Sequence, residues 1–405
     1  AALTCAPPTT ACVTDQKRAK LRAKVWELPI SAFVPLSIFR MPGKLIPEQP
    51  QRVLLVNPTK YLGNLLITGG LMQAYADHCQ QQGTQLLIII DASFRELCEP
   101  CFPTGSLVFF PRQAIDQVGW FGKITLYWQF LKQLRAFKAD LAFNIEDDAA
   151  TSHLTKWSGA AFKLGCSPAR HISDYDHVLP IVFEDRPTGQ EHRWSSYFEV
   201  FAALGMPQPP VSAYIKLNLP AADEALQTTL TASGIDYARP VIALHAGATK
   251  DYKKWPLNYF SALCELLLNA GMQPVLLGAG HSDQIINRQI IKDLGNRISE
   301  GSVVDLCNIL SLKELAVFLS SCHYMIGNDS GPFHLAAALG TKGSVIFGPT
   351  NKEIWGPLGT ASTLIQAEFK CDPACSKAYC LHDHRCLKEI KPDQVFSTIQ
   401  LPSVP

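Results

Sequence analysis

The chain has 405 residues, 47% hydrophobic and 18% charged, which excludes a disordered protein and leaves room for about two or three domains. A formal net charge of +1 excludes the global basic field that recruits nucleic acid. The balance is uneven, because residues 1–60 carry nine Lys or Arg against three Asp or Glu.

Residues 1–50 read as a basic extension. Within it, DQKRAKLRAKVWELP (15–29) has helical spacing, with Leu21, Val25 and Leu28 on one side and a stop at Pro29. Such a helix either docks on the main body or lies on a membrane through Lys17, Arg18, Lys20, Arg22 and Lys24. The most apolar early stretch, ISAFVPLSIF (31–40), is broken by Pro35 and falls short of the roughly 20 residues a bilayer span needs. The opening AALTCAPPTTACV lacks a basic leader before an apolar run, so it does not read as a signal peptide. The expectation is a cytoplasmic protein, with at most a peripheral inner-membrane contact. Its thirteen cysteines then stay reduced unless a metal holds some of them.

From Arg52 short apolar runs alternate with helical ones. RVLLVNP (52–58), QLLIII (85–90), SLVFFP (106–111) and DLAFNIE (140–146) read as buried strands, with a helix over 64–83 between the first two. Near-continuous apolar strands alternating with helices predict a parallel sheet covered on both faces. GMPQPPVSAYIKLNLP (205–220) has four prolines and no helical period, which marks a linker region at 206–239 between halves 51–205 and 240–405. The alternation resumes with PVIALH (240–245), PVLLG (274–278), YMIGND (324–329) and SVIFG (344–348). A helix over 256–271 starts at Pro256 and ends at Gly271. Two such halves place a cleft at the carboxyl ends of their strands.

Two loops at those strand ends carry charge and bare backbone. In GNDSGPFHLAAALG (327–340) Ser330 suits the N-cap of a helix that Gly340 closes. That much serves any helix; Gly331 additionally leaves amides bare and His334 sits one turn in, as an anion cradle requires. LHAGATKDYKKWP (244–256) brings Thr249, Lys250, Lys253 and Lys254 to the same end, where a diphosphate would need cations.

NDSGPFHLAAALGTKGSVIFGPTNKEIWGP (328–357) resembles the signature of glycosyltransferase family nine, the ADP-heptose:lipopolysaccharide heptosyltransferases. LHAGATKDYKKWP resembles that family's second donor motif, and VDLCNILSLKELAVFLSSC (304–322) its lead-in. The resemblance implies a GT-B fold of two Rossmann-like domains with parallel sheets facing a central cleft. It also implies an inverting transfer of heptose from ADP-heptose to a lipopolysaccharide core acceptor, or to a protein acceptor. By the same resemblance Thr249 and Lys253 contact the donor diphosphate and Asp329 the sugar. Ser330, Gly331 and His334 surround the phosphates, and Asp283 holds the ribose. The resemblance implies that no metal takes part in the transfer, so Asp174 and Asp176 read as a coincidental Asp-x-Asp.

KYLGNLLITGG (60–70) resembles the family's first loop, a glycine followed by an aspartate that acts as general base. Gly63 is kept, but Asn64 follows it, and an amide cannot accept a proton near neutral pH. Three readings follow. Glu146, Asp147 or Asp148 supplies the carboxylate; the chain is a slow or silent donor-binding scaffold; or Asn64 only orients the acceptor. An Asn N-cap fits all three.

Finally, Cys371, Cys375, Cys380 and Cys386 lie within sixteen residues, with His382 and His384 interleaved. Four thiols at this density can close a tetrahedral zinc or iron site of structural type, in which no position is left for substrate; paired or reduced thiols are the alternative.

Overall fold

The apolar runs become the inner strands of two parallel sheets. The computed structural model describes residues 46–145, 149–166, 172–179, 181, 191–299, 301–369 and 380–399. The basic helix expected at 15–29, the acids Glu146, Asp147 and Asp148, and the thiols Cys371 and Cys375 lie outside the described residues.

The first sheet comprises β1 (Arg52–Val56), β2 (Gln85–Asp91), β3 (Leu107–Phe110), β4 (Leu141–Asn144), β5 (Phe162–Cys166) and β6 (His177–Leu179). The second comprises β7 (Val241–His245), β8 (Gln273–Leu276), β9 (Val304–Asp305), β10 (Tyr324–Asn328), β11 (Gly343–Phe347) and β12 (Ser362–Gln366). The spatial orders are β3-β2-β1-β4-β5-β6 and β12-β11-β10-β7-β8-β9. Counted from its own first strand, each sheet therefore runs 3-2-1-4-5-6. The order reverses between β1 and β4 and again between β7 and β10, the two crevices where such sheets hold ligands.

The central strands are parallel because both of their faces are covered. Val53, Leu54, Leu55 and Val56 are all fully buried, each contributing about 1.5–3 kcal/mol relative to exposure. Leu54 pairs with Leu87 on one side and Ala142 on the other, and Ala243 likewise with Val275 and Met325. β5, β6, β9 and β12 do not stand out in the sequence. They lie toward the outer ends of the sheets, β6 and β9 are short, and they carry Lys163, His177, Asp305 and Ser362 where an inner strand would be apolar.

The helices that matter here are α1 (Leu62–Gln81), α2 (Trp120–Phe137), α3 (Arg193–Ala202), α4 (Leu257–Asn269), α5 (Gly280–Leu294), α6 (Leu312–Ser321), α7 (Gly331–Ala338) and α8 (Lys352–Trp355). α4 follows Pro256 and stops before Gly271, and α7 stops before Gly340; both glycines take the positive φ that ends a helix cheaply. α1 packs directly on α7, so the first helix of one half meets the cleft helix of the other.

Between Ala202 and Glu224 there is no regular element, yet this proline-rich stretch is not loose. The Ile215 amide donates to Leu66 O at 3.1 Å, and the Gln73 side chain bonds both Lys216 N (2.7 Å) and Lys216 O (3.0 Å). The stretch runs along α1. Among the described residues no helix is long and apolar enough to cross a membrane.

Candidate functional site

Both strand-order reversals open on one cleft. β1 leads into Lys60–Asn64 and α1, β7 into the loop 246–256, and β10 into Asp329, Ser330 and α7. Two adjoining cavities of about 440 and 660 Å³ lie there, and Thr249, Ser330, Gly331 and Pro332 line both. The smaller is completed by Gly63, Asn64, Lys253, Asp329, His334 and Trp355. The larger has a leucine wall, Leu306, Leu310, Leu312 and Leu315, with Asp283 and His245 opposite in composition.

The start of α7 separates the two. Ser330 stands at the N-cap position, as its sequence context predicts, but its side chain makes no capping bond. Its hydroxyl lies 3.0 Å from His245 Nδ1 instead. Pro332 has no N–H, so Gly331 and Phe333 carry the free amides of the first turn. An uncapped helix start of this kind presents partial positive charge to an anion. Gly331 also permits close packing: a Cβ there would come within 2.9 Å of Leu62 Cβ on α1.

Asp329 is 5% exposed, and its Oδ2 accepts from Lys253 Nζ at 2.6 Å. His334 Nε2 lies 3.7 Å from Oδ1, an electrostatic neighbour rather than a full hydrogen bond. Burial pushes the Asp329 pKa up, but His334 and the Lys253 ammonium outweigh it and hold the carboxyl below its ordinary range. The other face of the imidazole is fixed by Tyr214, whose hydroxyl is 2.7 Å from Nδ1. With the proton on Nε2, facing Asp329, the ring accepts from Tyr214. Gly63 lies against the same ring, where an added Cβ would be 3.0 Å from Cδ2.

In the larger cavity Asp283 sits in the first turn of α5. Its Oδ2 accepts from the Ala279 amide at 3.0 Å and lies 3.5 Å from His245 Nε2. Burial works to raise its pKa, but His245 and the Ala279 amide prevail, and it too is lowered. Buried Asn328 pins the β7 loop in place: Oδ1 accepts from Trp255 N at 3.0 Å and Nδ2 donates to Ala246 O at 2.8 Å.

The cleft thus gathers Gly63, Asn64, Thr249, Lys253, Asp283, Asp329, Ser330, Gly331 and His334 around two joined cavities. One expectation is corrected. Tyr61 occupies the N-cap of α1, and Asn64 is the third helical residue lining the smaller cavity, so it is not a cap. Lys254 bonds Asp251 at 2.8 Å, and the two line the larger cavity while Lys253 lines the smaller. Asp174 and Asp176 diverge: the first bonds Ser152 and Lys156, the second the Lys163 amide. Neither lines these cavities.

His245, Tyr214, Asn328 and Trp355 are parts of the site that sequence reasoning missed. His245 had a signal, as the polar end of an apolar strand. Tyr214 had none, because it comes from the stretch without period.

Of the four-cysteine cluster, Cys380 and Cys386 are described. Cys380 Sγ accepts from the His384 amide at 3.1 Å, and Cys386 is buried. Among the described residues no three His, Cys, Asp or Glu stand together as a metal-binding group.

Two Rossmann-like halves, each offering its reversal crevice to a shared cleft, make this a GT-B fold. The chain belongs to glycosyltransferase family 9 (heptosyltransferase), whose family model matches residues 127–384. Lipooligosaccharide heptosyltransferase 2 of Campylobacter jejuni (serotype O:6) is 29% identical over 169 residues, which are 41% of this chain and 52% of that protein. The chain spans about half the length of the curated relatives it matches. The glycosyl transferase family 9 structure from Veillonella parvula aligns with a TM-score of 0.67 and 17% identity, over 86% of this chain and 95% of the other. The E. coli ADP-heptose lps heptosyltransferase II structure aligns at 0.64 and 18%, over 85% and 96%. At such identities the structural likeness establishes the fold.

Proposed function

We propose that the chain is an inverting heptosyltransferase that moves heptose from ADP-heptose to a lipopolysaccharide core acceptor, working in the cytoplasm at the inner membrane. The observation that carries this reading is the uncapped start of α7 between two joined cavities, with Thr249 and Lys253 beside it. The names of the Campylobacter relative and the E. coli neighbour support the sugar and the acceptor class.

In this reading the leucine wall takes the nucleobase and Asp283 accepts from the ribose hydroxyls. The diphosphate lies over the Gly331 and Phe333 amides, with Thr249 and Ser330 at its sides. The Lys253 ammonium swings from Asp329 to the leaving diphosphate, and the freed Asp329 oxygen accepts from a sugar hydroxyl. The acceptor oxygen attacks the anomeric carbon from the face opposite the diphosphate. The bond from that carbon to the phosphate oxygen breaks, its electron pair leaves with ADP, and the configuration inverts. Charge on the departing ADP is met by lysine and helix dipole, so the step is written without a metal.

The acceptor proton needs a base, and Asn64 cannot be one. We assign it to Glu146, Asp147 or Asp148, which continue the chain after β4, the strand hydrogen-bonded to β1. Asn64 then orients the acceptor. A structural zinc or iron ion on Cys371, Cys375, Cys380 and Cys386 belongs to the same reading. It is supported by His382 among them, whose buried Nε2 has no hydrogen-bond partner.

The test is incubation with ADP-heptose and either a lipopolysaccharide core or a protein acceptor, read by mass spectrometry. A core product with inverted anomeric configuration is expected. Donor binding without transfer or hydrolysis would instead identify a silent scaffold, and elemental analysis reads the metal.

A further inference from the structure

Large apolar side chains in solvent are concentrated on one face of the first half. Trp120 is 72% exposed, Phe121 84%, Ile124 40% and Trp128 52%, all on α2, and Trp157 beside it is 47% exposed. The opposite face of α2 is conventional, with Phe130, Leu131 and Leu134 buried against the sheet. Phe121, Ile124, Trp128, Lys132 and Arg135 follow one another at three- and four-residue spacing, so they form a single stripe along about 21 Å of helix.

Charge along α2 and its C-cap has one sign, with Lys132 and Arg135 on the stripe itself. Residues 117–139 contain Lys123, Lys132, Arg135 and Lys138 and no Asp or Glu. Arg135 ties α2 to Trp157: its Nε donates to Trp157 O at 3.0 Å, and its guanidinium lies 5.3 Å from the Trp128 ring centroid. A shallow groove lined by Ile124, Trp128, Lys132 and Arg135 runs between the aromatic and basic groups.

We propose that this face of α2, with Trp157, is a docking surface for an anionic phospholipid bilayer. Tryptophan prefers the headgroup boundary, where its ring is buried and its N–H stays wet, and lysine stems reach from there to lipid phosphates. A protein partner would bury these aromatics against matching apolar surface and would need acids opposite four cations. An anionic bilayer supplies both properties without any specific fit. The placement is productive. In a parallel sheet the helix after a strand runs back against it, so Trp120 and Phe121 at the start of α2 stand at the cleft edge of the first sheet. An acceptor embedded in the bilayer would be met at that edge. The inference goes beyond the transfer reaction and does not depend on it.

The test is co-sedimentation of the full chain with vesicles of phosphatidylcholine alone or with phosphatidylglycerol added, with sedimentation velocity in parallel. Binding to the anionic vesicles only, weakened by salt, is expected. The pair K132Q/R135Q should lower the partition coefficient about thirtyfold, and W120S/F121S should abolish binding, with thermal melting unchanged in both. Failure of the full chain to bind anionic vesicles overturns the proposal. So does binding that neither pair alters, which would locate the contact elsewhere in the chain. Conversion of a dimer to a monomer by W120S/F121S, with vesicle binding intact, would make a second copy the occupant and also overturn it.

Discussion

Lys253 Nζ lies 2.6 Å from Asp329 Oδ2, so the cation of the proposed diphosphate site is held ready by a buried anion of the proposed sugar site. Donor binding would exchange one partner for another without exposing either charge. Lys253→Met should therefore lower kcat about a hundredfold, as removal of one transition-state cation does, and weaken ADP binding. Lys253→Arg should recover only part, because the planar guanidinium does not replace a compact ammonium. Steady-state kinetics with ADP-heptose and calorimetry with ADP measure the two effects.

Acid should unlock the same pair. The Asp329 pKa is lowered in the folded state, so its contribution to stability is full above the unfolded value of about 3.9 and disappears as pH falls through the lower folded value. Asp329→Asn should be less stable than the parent at pH 7, and the gap should begin to narrow below about pH 4. Urea midpoints across pH 7 to 3 report it, and a gap that is constant with pH would contradict the assignment.

The base is tested at two positions. Replacing the catalytic acid among Glu146, Asp147 and Asp148 by its amide should cut kcat at least a hundredfold and leave ADP affinity unchanged. Asn64→Asp should change kcat by less than about tenfold. A gain of a hundredfold from that one substitution would mean that the chain as it stands lacks a base.

His192 ties the two halves near Trp355. Its Nδ1 accepts from Trp194 N at 3.0 Å, capping α3, while Nε2 donates to Gly356 O at 2.8 Å; the first bond requires a neutral ring, the second does not. Burial lowers its pKa against the pull of the Gly356 carbonyl. The neutral ring and its cap to Trp194 therefore stabilise the fold fully above about pH 6.5, and that contribution is lost as pH falls through the lower folded value. His192→Ala should cost about 1–2 kcal/mol at pH 7.5 and less at pH 5, as measured by chemical unfolding.

The inner strands and the loops at their ends were legible because burial on both faces writes a continuous apolar run, and such a run ends where the chain meets solvent. Thr249, Lys253, Asp329 and Gly331 were therefore findable from local pattern alone. The outer strands were not, since β9 is only Val304–Asp305 and its place is set by pairing with β8. Tyr214 was invisible for a different reason. Its position depends on the Leu66 carbonyl and the Gln73 side chain, about 140 residues away in sequence for the latter. Ser330 was legible as the N-cap residue, but the turn of its hydroxyl to His245 was not, because that partner lies on another strand.

The closeness of α1 and α7 gives the last prediction. In an ordinary helix Ala is favoured over Gly by about 1 kcal/mol, so Gly331→Ala would be mildly stabilising if space allowed. Space does not allow it, because the new methyl would sit 2.9 Å from Leu62 Cβ, an atom fixed to the backbone of α1. The two helices must separate, which should cost about 1–3 kcal/mol and displace the amide at position 331 from the proposed phosphate site. ADP affinity should fall about tenfold. Leu62→Gly removes the opposing atom, so the double variant should regain most of the affinity while staying less stable than the parent. Calorimetry over the four proteins of this cycle gives the coupling directly. Additive losses would show that the contact between α1 and α7 does not set the position of the amide.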